Sequence, residues 1–274
     1  MRHRGAERDG GRSARRTRCR WRARGVRILP QRDVLRDRRV GHAHCPRLDV
    51  LLGDELLSDA QLAARVWLIR ERTEYEASAH FDRLASDLRA ARAPDAIVAL
   101  AVRASEDELR HAVRCREVVD ALVPGLVALA PDRDAVIKPN RKESAPAARA
   151  THAAVAIGCV TETLSTALLI ELRRRAQHRI ARRAFDEILE DEIAHARLGW
   201  ATLAWRAGQE ELAHIGPHVQ AMIDAALVDE PAPPERCLAH LGILSPATVR
   251  AICAETLRTT IVPGLARFGI SLAG

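Results

Sequence analysis

Aromatic residues are scarce in this chain, at 3% of its 274 residues, whereas Ala and Leu are abundant. Strands favour aromatic and β-branched side chains and helices favour Ala and Leu, so this composition excludes a mainly β-sheet protein. The six cysteines include no Cys-x-x-Cys pair. That absence argues against a structural zinc site or a disulfide framework, and it favours the cytoplasm. No uninterrupted apolar run reaches the roughly 18–20 residues of a membrane span, so we expect no membrane partner.

The positive charge of the chain is concentrated near its N-terminus. Residues 1–40 contain 15 Arg against four acidic residues, a net charge of +11, which leaves −4 for residues 41–274 of an overall +7. An Arg-rich segment can bind nucleic acid, but this one lacks a pattern of interleaved aromatic residues. We therefore expect residues 1–56 to be a disordered extension and expect no nucleic-acid partner.

Helical periodicity with clear end signals predicts four long helices. Ser58-Asp59-Ala60-Gln61 is a capping box that marks the first start, and proline-containing stretches separate the second and third helices. The predicted long helices cover approximately residues 58–92, 95–122, 147–175 and 178–207. Shorter helical segments are predicted at approximately 210–228 and 246–261.

The lengths of the connections predict how these helices are arranged. The first and third connections are short, so they favour antiparallel neighbours, whereas the connection over 124–146 is long enough to run along a bundle. The fold class predicted is all-α: a four-helix bundle with a long crossover between helices 2 and 3, plus extra C-terminal helices. We assign the bundle to residues 57–208 and a C-terminal helical segment packed on it to residues 209–274.

Acidic residues and histidines interrupt the apolar faces of two of the predicted helices. Glu108 and His111 in helix 2, and Glu192 and His195 in helix 4, are three residues apart and therefore lie on one side of their helix. Those sides carry small or apolar residues that include Ala104, Ala112, Cys115, Ile188 and Leu203. Because a buried carboxylate is unfavourable unless it is paired or bound to a metal, each Glu-x-x-His pair is a candidate metal site.

Helices 3 and 1 each add one carboxylate to this pattern. Glu162 lies in an apolar stripe of helix 3, whereas helix 1 offers Glu71, Glu74 and Glu76. Glu74 shares its side of the helix with apolar residues, and Glu76 shares its side with charged residues that include Asp87, so the second side is expected to face solvent. Glu74 is therefore preferred as the ligand, and Glu71, one turn away, is the alternative.

Four carboxylates and two imidazoles suit a pair of metal ions. Such a mixed oxygen and nitrogen set favours iron or manganese over zinc or calcium. The predicted ligands are Glu74, Glu108, His111, Glu162, Glu192 and His195. Metal-bound histidines usually donate their second N–H to a carboxylate, so we predict that Asp107 and Asp191 each reach the histidine of the opposite helix.

Three of these motifs resemble those of the ferritin-like di-iron carboxylate superfamily, and in particular bacterial ferritin-like domain proteins of unassigned role. They are Asp-Glu-Leu-Arg-His-Ala at 107–112, Gly-Cys-Val-Thr-Glu-Thr-Leu at 158–164 and Asp-Glu-Ile-Ala-His-Ala at 191–196. The resemblance covers about residues 58–262. It departs at helix 1, where Glu74-Tyr75-Glu76-Ala77 replaces the usual Glu-His-Ala-Ser. The resemblance implies a ferritin-like fold, two iron ions and chemistry with dioxygen or peroxide.

Three functions are consistent with these features. The first is an oxidoreductase in which two iron ions, or manganese, activate dioxygen or peroxide to oxidise a small-molecule substrate. The second is an iron-handling protein that oxidises Fe(II) without an organic substrate, and the third is a non-catalytic helical module whose Arg-rich tail binds nucleic acid. We favour the first, in a cytoplasmic protein that is compatible with a homodimer.

Overall fold

Helix is the only regular secondary structure in the part of the chain that the structure describes. The structure is a computed structural model, and it describes residues 57–131, 145–227 and 237–272. These stretches contain no strand, so the prediction of an all-α protein is confirmed for them. All of them belong to one unit of the chain, Ala43–Ala273. The predicted Arg-rich extension, residues 1–56, lies outside the described residues.

Four long helices lie close to the predicted positions. They are α1 (Asp59–Ala90), α2 (Asp95–Leu122), α3 (Pro146–Arg175) and α4 (Arg179–Ala207). The helix α3 is not uniformly α-helical, because a π-helical segment, Ala154–Glu162, separates its two α-helical parts, Pro146–Ala153 and Thr163–Arg175. Helical periodicity did not predict this segment.

Local hydrogen bonds account for the helix ends. The Ser58 hydroxyl accepts the backbone N–H of Gln61, and the Gln61 side chain accepts that of Ser58, so the predicted capping box is present. Past the end of α1, Arg92 adopts a positive φ of 58°, and Pro94 precedes α2. The start of α4 is capped by His178, whose Nδ1 accepts the backbone N–H of Ala181.

The C-terminal helices differ from their predicted bounds. Instead of one helix over 210–228, a short 3₁₀ turn at Ala213–Ile215 leads into α5 (Gly216–Ala226), which has a proline in its first turn. Proline is favoured at that position because the first N–H groups of a helix have no intrahelical acceptor. The last helix, α6, extends beyond the predicted residue 261. It consists of Pro246–Thr256, a π-helical segment at Leu257–Ile261 and Val262–Ala266.

The four long helices enclose a common interior. Helix α1 packs against α2, α2 against α4 and α4 against α3, and the first part of α3 packs against α1. Among the largest fully buried side chains are Trp67, Phe81 and Phe185. Helix α5 packs against the π-helical segment of α3, and α6 packs against the last part of α3. A second buried cluster forms at that contact, and it includes Val155, Leu203, Ile215, Val219 and Ile261.

One helix in the described part of the chain is long and apolar enough to cross a membrane by length and composition alone. It is α3, Pro146–Arg175, and 61% of its most apolar window is buried inside the protein. Such burial is typical of the core helix of a soluble protein. A cytoplasmic location remains a prediction.

Candidate metal centre

The interior of the four helices contains a cluster of acidic residues and histidines. The structure brings together one residue from α1, two from α2, one from α3 and two from α4, namely Glu74, Glu108, His111, Glu162, Glu192 and His195. Five of the six are buried, and the exception is Glu74, whose side chain is 17% exposed. These are the six residues that the sequence predicts as ligands.

The six residues form two overlapping groups. In each group, one ligand atom from every residue lies within 4.8 Å of the others. The first group is Glu74, Glu108, His111 and Glu192, and the second is Glu108, Glu162, Glu192 and His195. Glu108 and Glu192 therefore belong to both groups, and the cluster can hold a metal ion.

Each imidazole directs one nitrogen into the cluster and the other away from it. His111 Nδ1 lies 3.2 Å from Glu108 Oε2 and 3.6 Å from Glu192 Oε1. His195 Nδ1 lies 3.0 Å from Glu108 Oε1. The inward Nδ1 atoms are thus surrounded by carboxylate oxygens, as expected of nitrogens that share a metal ion with them.

The outward nitrogens meet aspartates from the opposite helix. His195 Nε2 on α4 lies 3.3 Å from Asp107 Oδ2 on α2, and His111 Nε2 on α2 lies 3.2 Å from Asp191 Oδ2 on α4. An ionised carboxylate only accepts hydrogen bonds, so the Nε2 atoms carry the protons. A neutral imidazole protonated at Nε2 keeps its Nδ1 lone pair free to bind a metal.

Several buried atoms in the cluster lack a hydrogen-bond partner among the described residues. They are Glu108 Oε1, Glu192 Oε2 and His195 Nδ1. Two of these atoms, Glu108 Oε1 and His195 Nδ1, lie 3.0 Å from each other. Buried polar atoms are rarely left unpaired in proteins. Unpaired oxygen and nitrogen atoms that converge on one place fit a metal ion, which would accept all three lone pairs.

Burial and mutual repulsion change the pKa values of the carboxyl groups. Burial, together with the nearby Glu108 carboxylate, raises the pKa of Glu74 well above its usual range, and burial with the nearby Glu162 does the same for Glu192. Burial alone would also raise the pKa of Glu108, but His111 and His195 face this carboxylate and lower its pKa to about 2. Glu108 in turn raises the pKa of His195 to about 9, against the effect of burial.

These pKa values predict that the metal-free protein loses stability as the pH rises. The folded state holds protons on Glu74 and Glu192 above their usual pKa of 4.5, and on His195 between 6.5 and about 9, whereas the unfolded chain releases them. A folded state that binds more protons than the unfolded state is destabilised by rising pH, so the free energy of unfolding should fall from pH 5 to pH 9. Urea unfolding of chelator-treated protein at several pH values measures this.

Metal-loaded protein is the control for this prediction. Metal binding requires deprotonated ligands, so added Mn²⁺ should stabilise the protein more at pH 8 than at pH 5.5. A metal-free protein that is more stable at pH 8.5 than at pH 5.5 would contradict the prediction.

Comparison with known proteins assigns no family to this chain. No protein-family model, curated protein or solved structure matches it. The buried cluster of glutamates and histidines is therefore the feature from which a function can be inferred.

The other two glutamates of α1 considered as ligands lie outside the cluster. Arg116 on α2 holds the Glu71 carboxylate, with Nε 3.1 Å from Oε1 and Nη2 2.5 Å from Oε2. Glu76 pairs with Arg72 on its own helix, at 3.3 Å. Of the three glutamates, the structure brings only Glu74 to the cluster.

Asp87 corrects one expectation about the solvent-facing side of α1. The sequence placed it there with Glu76, but only 8% of its surface is exposed. Arg149 on α3 explains the difference, because its Nε and Nη2 atoms donate to the Asp87 carboxylate at 3.1 Å and 2.5 Å. An arginine from a neighbouring helix can thus compensate a buried aspartate on a helix face that looks solvent-exposed in the sequence.

Sequence reasoning missed the close approach of α3 to α4 beside the cluster. A Cβ atom on Gly158 would lie 2.5 Å from Gly199 Cα, and one on Gly199 would lie 2.6 Å from the backbone N of Cys159. Gly158 precedes Glu162 by one turn, and Gly199 follows His195 by one turn. The two glycines therefore set how close Glu162 comes to Glu192 and His195. The signal in the sequence is a glycine beside a predicted ligand on each helix.

The π-helical segment of α3 ends at Glu162. Two threonine hydroxyls donate to carbonyl oxygens five residues earlier, which is the spacing of a π-helix. Thr161 Oγ1 donates to Ala156 O at 3.0 Å, and Thr163 Oγ1 donates to Gly158 O at 3.3 Å. Single π-helical turns inside α-helices are frequent at functional sites. Glu162, the last residue of this segment, is the α3 residue that belongs to the cluster.

Proposed function

We propose that this chain forms a ferritin-like four-helix bundle that holds two iron ions in its interior, with manganese as the alternative metal. The observation that carries the proposal is that two groups of four potential ligands share Glu108 and Glu192. A carboxylate has two oxygens and can bridge two metal ions, so two shared carboxylates suit a metal pair. The remaining ligands divide between the two positions, with Glu74 and His111 at one and Glu162 and His195 at the other.

The charges of the ligands support a pair of divalent cations. Four ionised glutamates carry four negative charges, which two divalent cations balance, and two neutral imidazoles add nitrogen ligands without charge. Oxygen and imidazole ligands suit iron and manganese, whereas a structural zinc site would be closed by cysteine and histidine. No cysteine belongs to either group.

The function that this site supports best is an oxidoreductase acting on dioxygen or peroxide. A ferrous pair, when bound, supplies electrons and Lewis acidity for the reduction of either oxidant. The chain's own residues exclude bulk water, since five of the six ligands are buried. Asp107 and Asp191 accept hydrogen bonds from the Nε2–H groups of His195 and His111, and they thereby keep the proton of each histidine on Nε2. A buried site of this kind favours small reactants.

We expect the ferrous protein to consume dioxygen, and His195→Ala to abolish that consumption. His195 is the only nitrogen ligand of the second group, so its removal should prevent a complete metal pair from forming. The measurement is anaerobic loading with two equivalents of Fe(II) per chain, followed by an oxygen electrode trace and an optical spectrum in air.

His214→Ala is the matched control. His214 is exposed, its Nδ1 lies 3.1 Å from the backbone oxygen of Glu211, and it belongs to neither group of ligands. This variant should consume dioxygen at the wild-type rate. Freshly purified wild-type protein without stoichiometric iron or manganese would contradict the proposal. A large hollow assembly that accumulates ferric iron would instead favour iron handling.

A further inference from the structure

We propose that Arg110 is a positioning residue that orients both metal-binding histidines through one pair of aspartates. The inference rests on the proposed function. The Nη2 atom of Arg110 on α2 donates to Asp107 Oδ1 at 2.6 Å and to Asp191 Oδ2 at 3.1 Å. These are the two aspartates that meet the outward nitrogens of the histidines, so a single guanidinium connects both halves of the cluster.

The connection is continuous from one imidazole to the other. It starts at His195 Nε2, which lies 3.3 Å from Asp107 Oδ2. The other oxygen of Asp107 contacts Arg110, and Arg110 contacts Asp191. It ends at His111, whose Nε2 lies 3.2 Å from the same Asp191 oxygen that Arg110 contacts. Each aspartate thus contacts both Arg110 and one histidine, and these two partners together orient its carboxylate.

The two aspartates depend on Arg110 to different degrees. The Asp107 side chain is 3% exposed, so the surrounding helices also hold it, whereas the Asp191 side chain is 28% exposed and water can compete for it. Asp191 also uses one oxygen for both of its partners. We therefore expect the loss of Arg110 to affect His111 more than His195.

Only one of the two Asp-Glu-x-x-His motifs contains an arginine before its histidine. The two motifs are Asp-Glu-Leu-Arg-His and Asp-Glu-Ile-Ala-His, so Ala194 occupies the place in α4 that Arg110 occupies in α2. No residue of α4 at that place can therefore replace the guanidinium. The Arg110 side chain is 58% exposed and its removal leaves no large cavity. Its role is thus separable from the stability of the core.

Arg110→Ala should weaken metal binding without unfolding the protein. Replacing a residue that hydrogen-bonds a metal ligand typically lowers metal affinity about 10–100-fold, and Arg110 acts through two such residues, Asp107 and Asp191. We expect a loss of about tenfold or more at the position of His111 and a smaller loss at that of His195. Arg110→Lys keeps the charge and three N–H donors on one nitrogen, but its side chain is shorter and lacks the planar guanidinium, so it should recover only part of the affinity. Anaerobic titration with Co²⁺, followed by its visible absorption, measures both binding steps.

Arg114→Ala is the matched control. Arg114 lies one turn further along the same side of α2, and it also links α2 to α4, through Glu187, besides contacting Glu117 at 2.7 Å. None of its partners contacts a histidine of the cluster. This variant should bind Co²⁺ like the wild type. Equal Co²⁺ affinities in Arg110→Ala and Arg114→Ala, within twofold, would overturn the proposal.

A measurement on the metal-free protein separates this inference from the proposed function. Nuclear magnetic resonance of ¹⁵N-histidine-labelled protein should reveal exchange-protected Nε2–H protons on His111 and His195 in the wild type and in Arg114→Ala. In Arg110→Ala the Nε2–H proton of His111 should no longer be protected from exchange with water. If the wild type binds no metal pair, the proposed function fails, yet this measurement still tests the positioning role. Unchanged protection in Arg110→Ala would overturn that role.

Discussion

Glu108→Gln is expected to abolish the binding of both metal ions, whereas Glu162→Gln should abolish the binding of one. Glu108 belongs to both groups of ligands and Glu162 only to the second. Glutamine preserves the shape of the side chain but removes the charge and one acceptor oxygen, so it cannot bridge two cations. Anaerobic Mn²⁺ binding, counted per chain, should give two ions in the wild type, one in Glu162→Gln and none in Glu108→Gln.

Two further variants make this result decisive. Glu117→Gln is the control, because Glu117 lies on the same helix as Glu108 but is 44% exposed and pairs with Arg114. It should bind two ions. Glu192→Gln tests the other shared carboxylate in a variant that should still fold. The pKa of Glu192 is raised well above its usual range, so a neutral side chain should be tolerated there. It should fold like the wild type and bind no ions. Retention of two ions by both Glu108→Gln and Glu192→Gln would refute the shared role.

The helices could be predicted because their determinants are local. The capping box at Ser58 requires only residues three positions apart, and Pro94 and Pro124 interrupt the α-helical pattern by themselves. The 3₁₀ turn that precedes α5 could not be predicted, because its geometry depends on packing. Ile215, the last residue of that turn, is fully buried in the cluster formed with α3 and α6. Tertiary contacts therefore decided the local geometry there.

Most of the candidate site could be predicted because its residues are charged or polar although they lie on otherwise apolar helix faces. Glu108 and Glu192 lie on faces that should be apolar, and each has a histidine three residues later. The choice among Glu71, Glu74 and Glu76 rested on weaker grounds, since all three occur within two turns of α1. Glu71 differs from Glu74 because Arg116, which lies on another helix, pairs with Glu71 and neutralises its charge.

What the sequence could not predict depends on contacts between helices. Arg110 looks like a surface residue of α2, and its role becomes visible only when Asp191 on α4 lies within reach of the same guanidinium. The π-helical segment likewise contains no residue type that requires it. Periodicities of three and four residues describe one helix at a time, so they carry no information on how closely two helices approach.

Gly158→Ala is expected to destabilise the protein by about 3 kcal/mol and to remove the metal position formed by Glu162 and His195. The new Cβ atom would lie 2.5 Å from Gly199 Cα and 2.8 Å from Gly199 N, both in the backbone of α4. A backbone atom cannot rotate away like a side chain, so α3 and α4 must separate. Glu162 moves with α3 and His195 with α4, and their ligand atoms would then be too far apart to share an ion.

Urea unfolding measures the first effect and anaerobic Mn²⁺ binding the second. Gly208→Ala is the control for both, because Gly208 has an α-helical φ of −73° and its new Cβ atom would come no closer than 3.4 Å to another atom. That variant should bind two ions and be about as stable as the wild type. Gly199→Ala should reproduce Gly158→Ala from the opposite helix, since its Cβ atom would lie 2.6 Å from the Gly158 carbonyl carbon. If either alanine variant binds two ions with wild-type affinity, the close contact between α3 and α4 does not determine the position of Glu162.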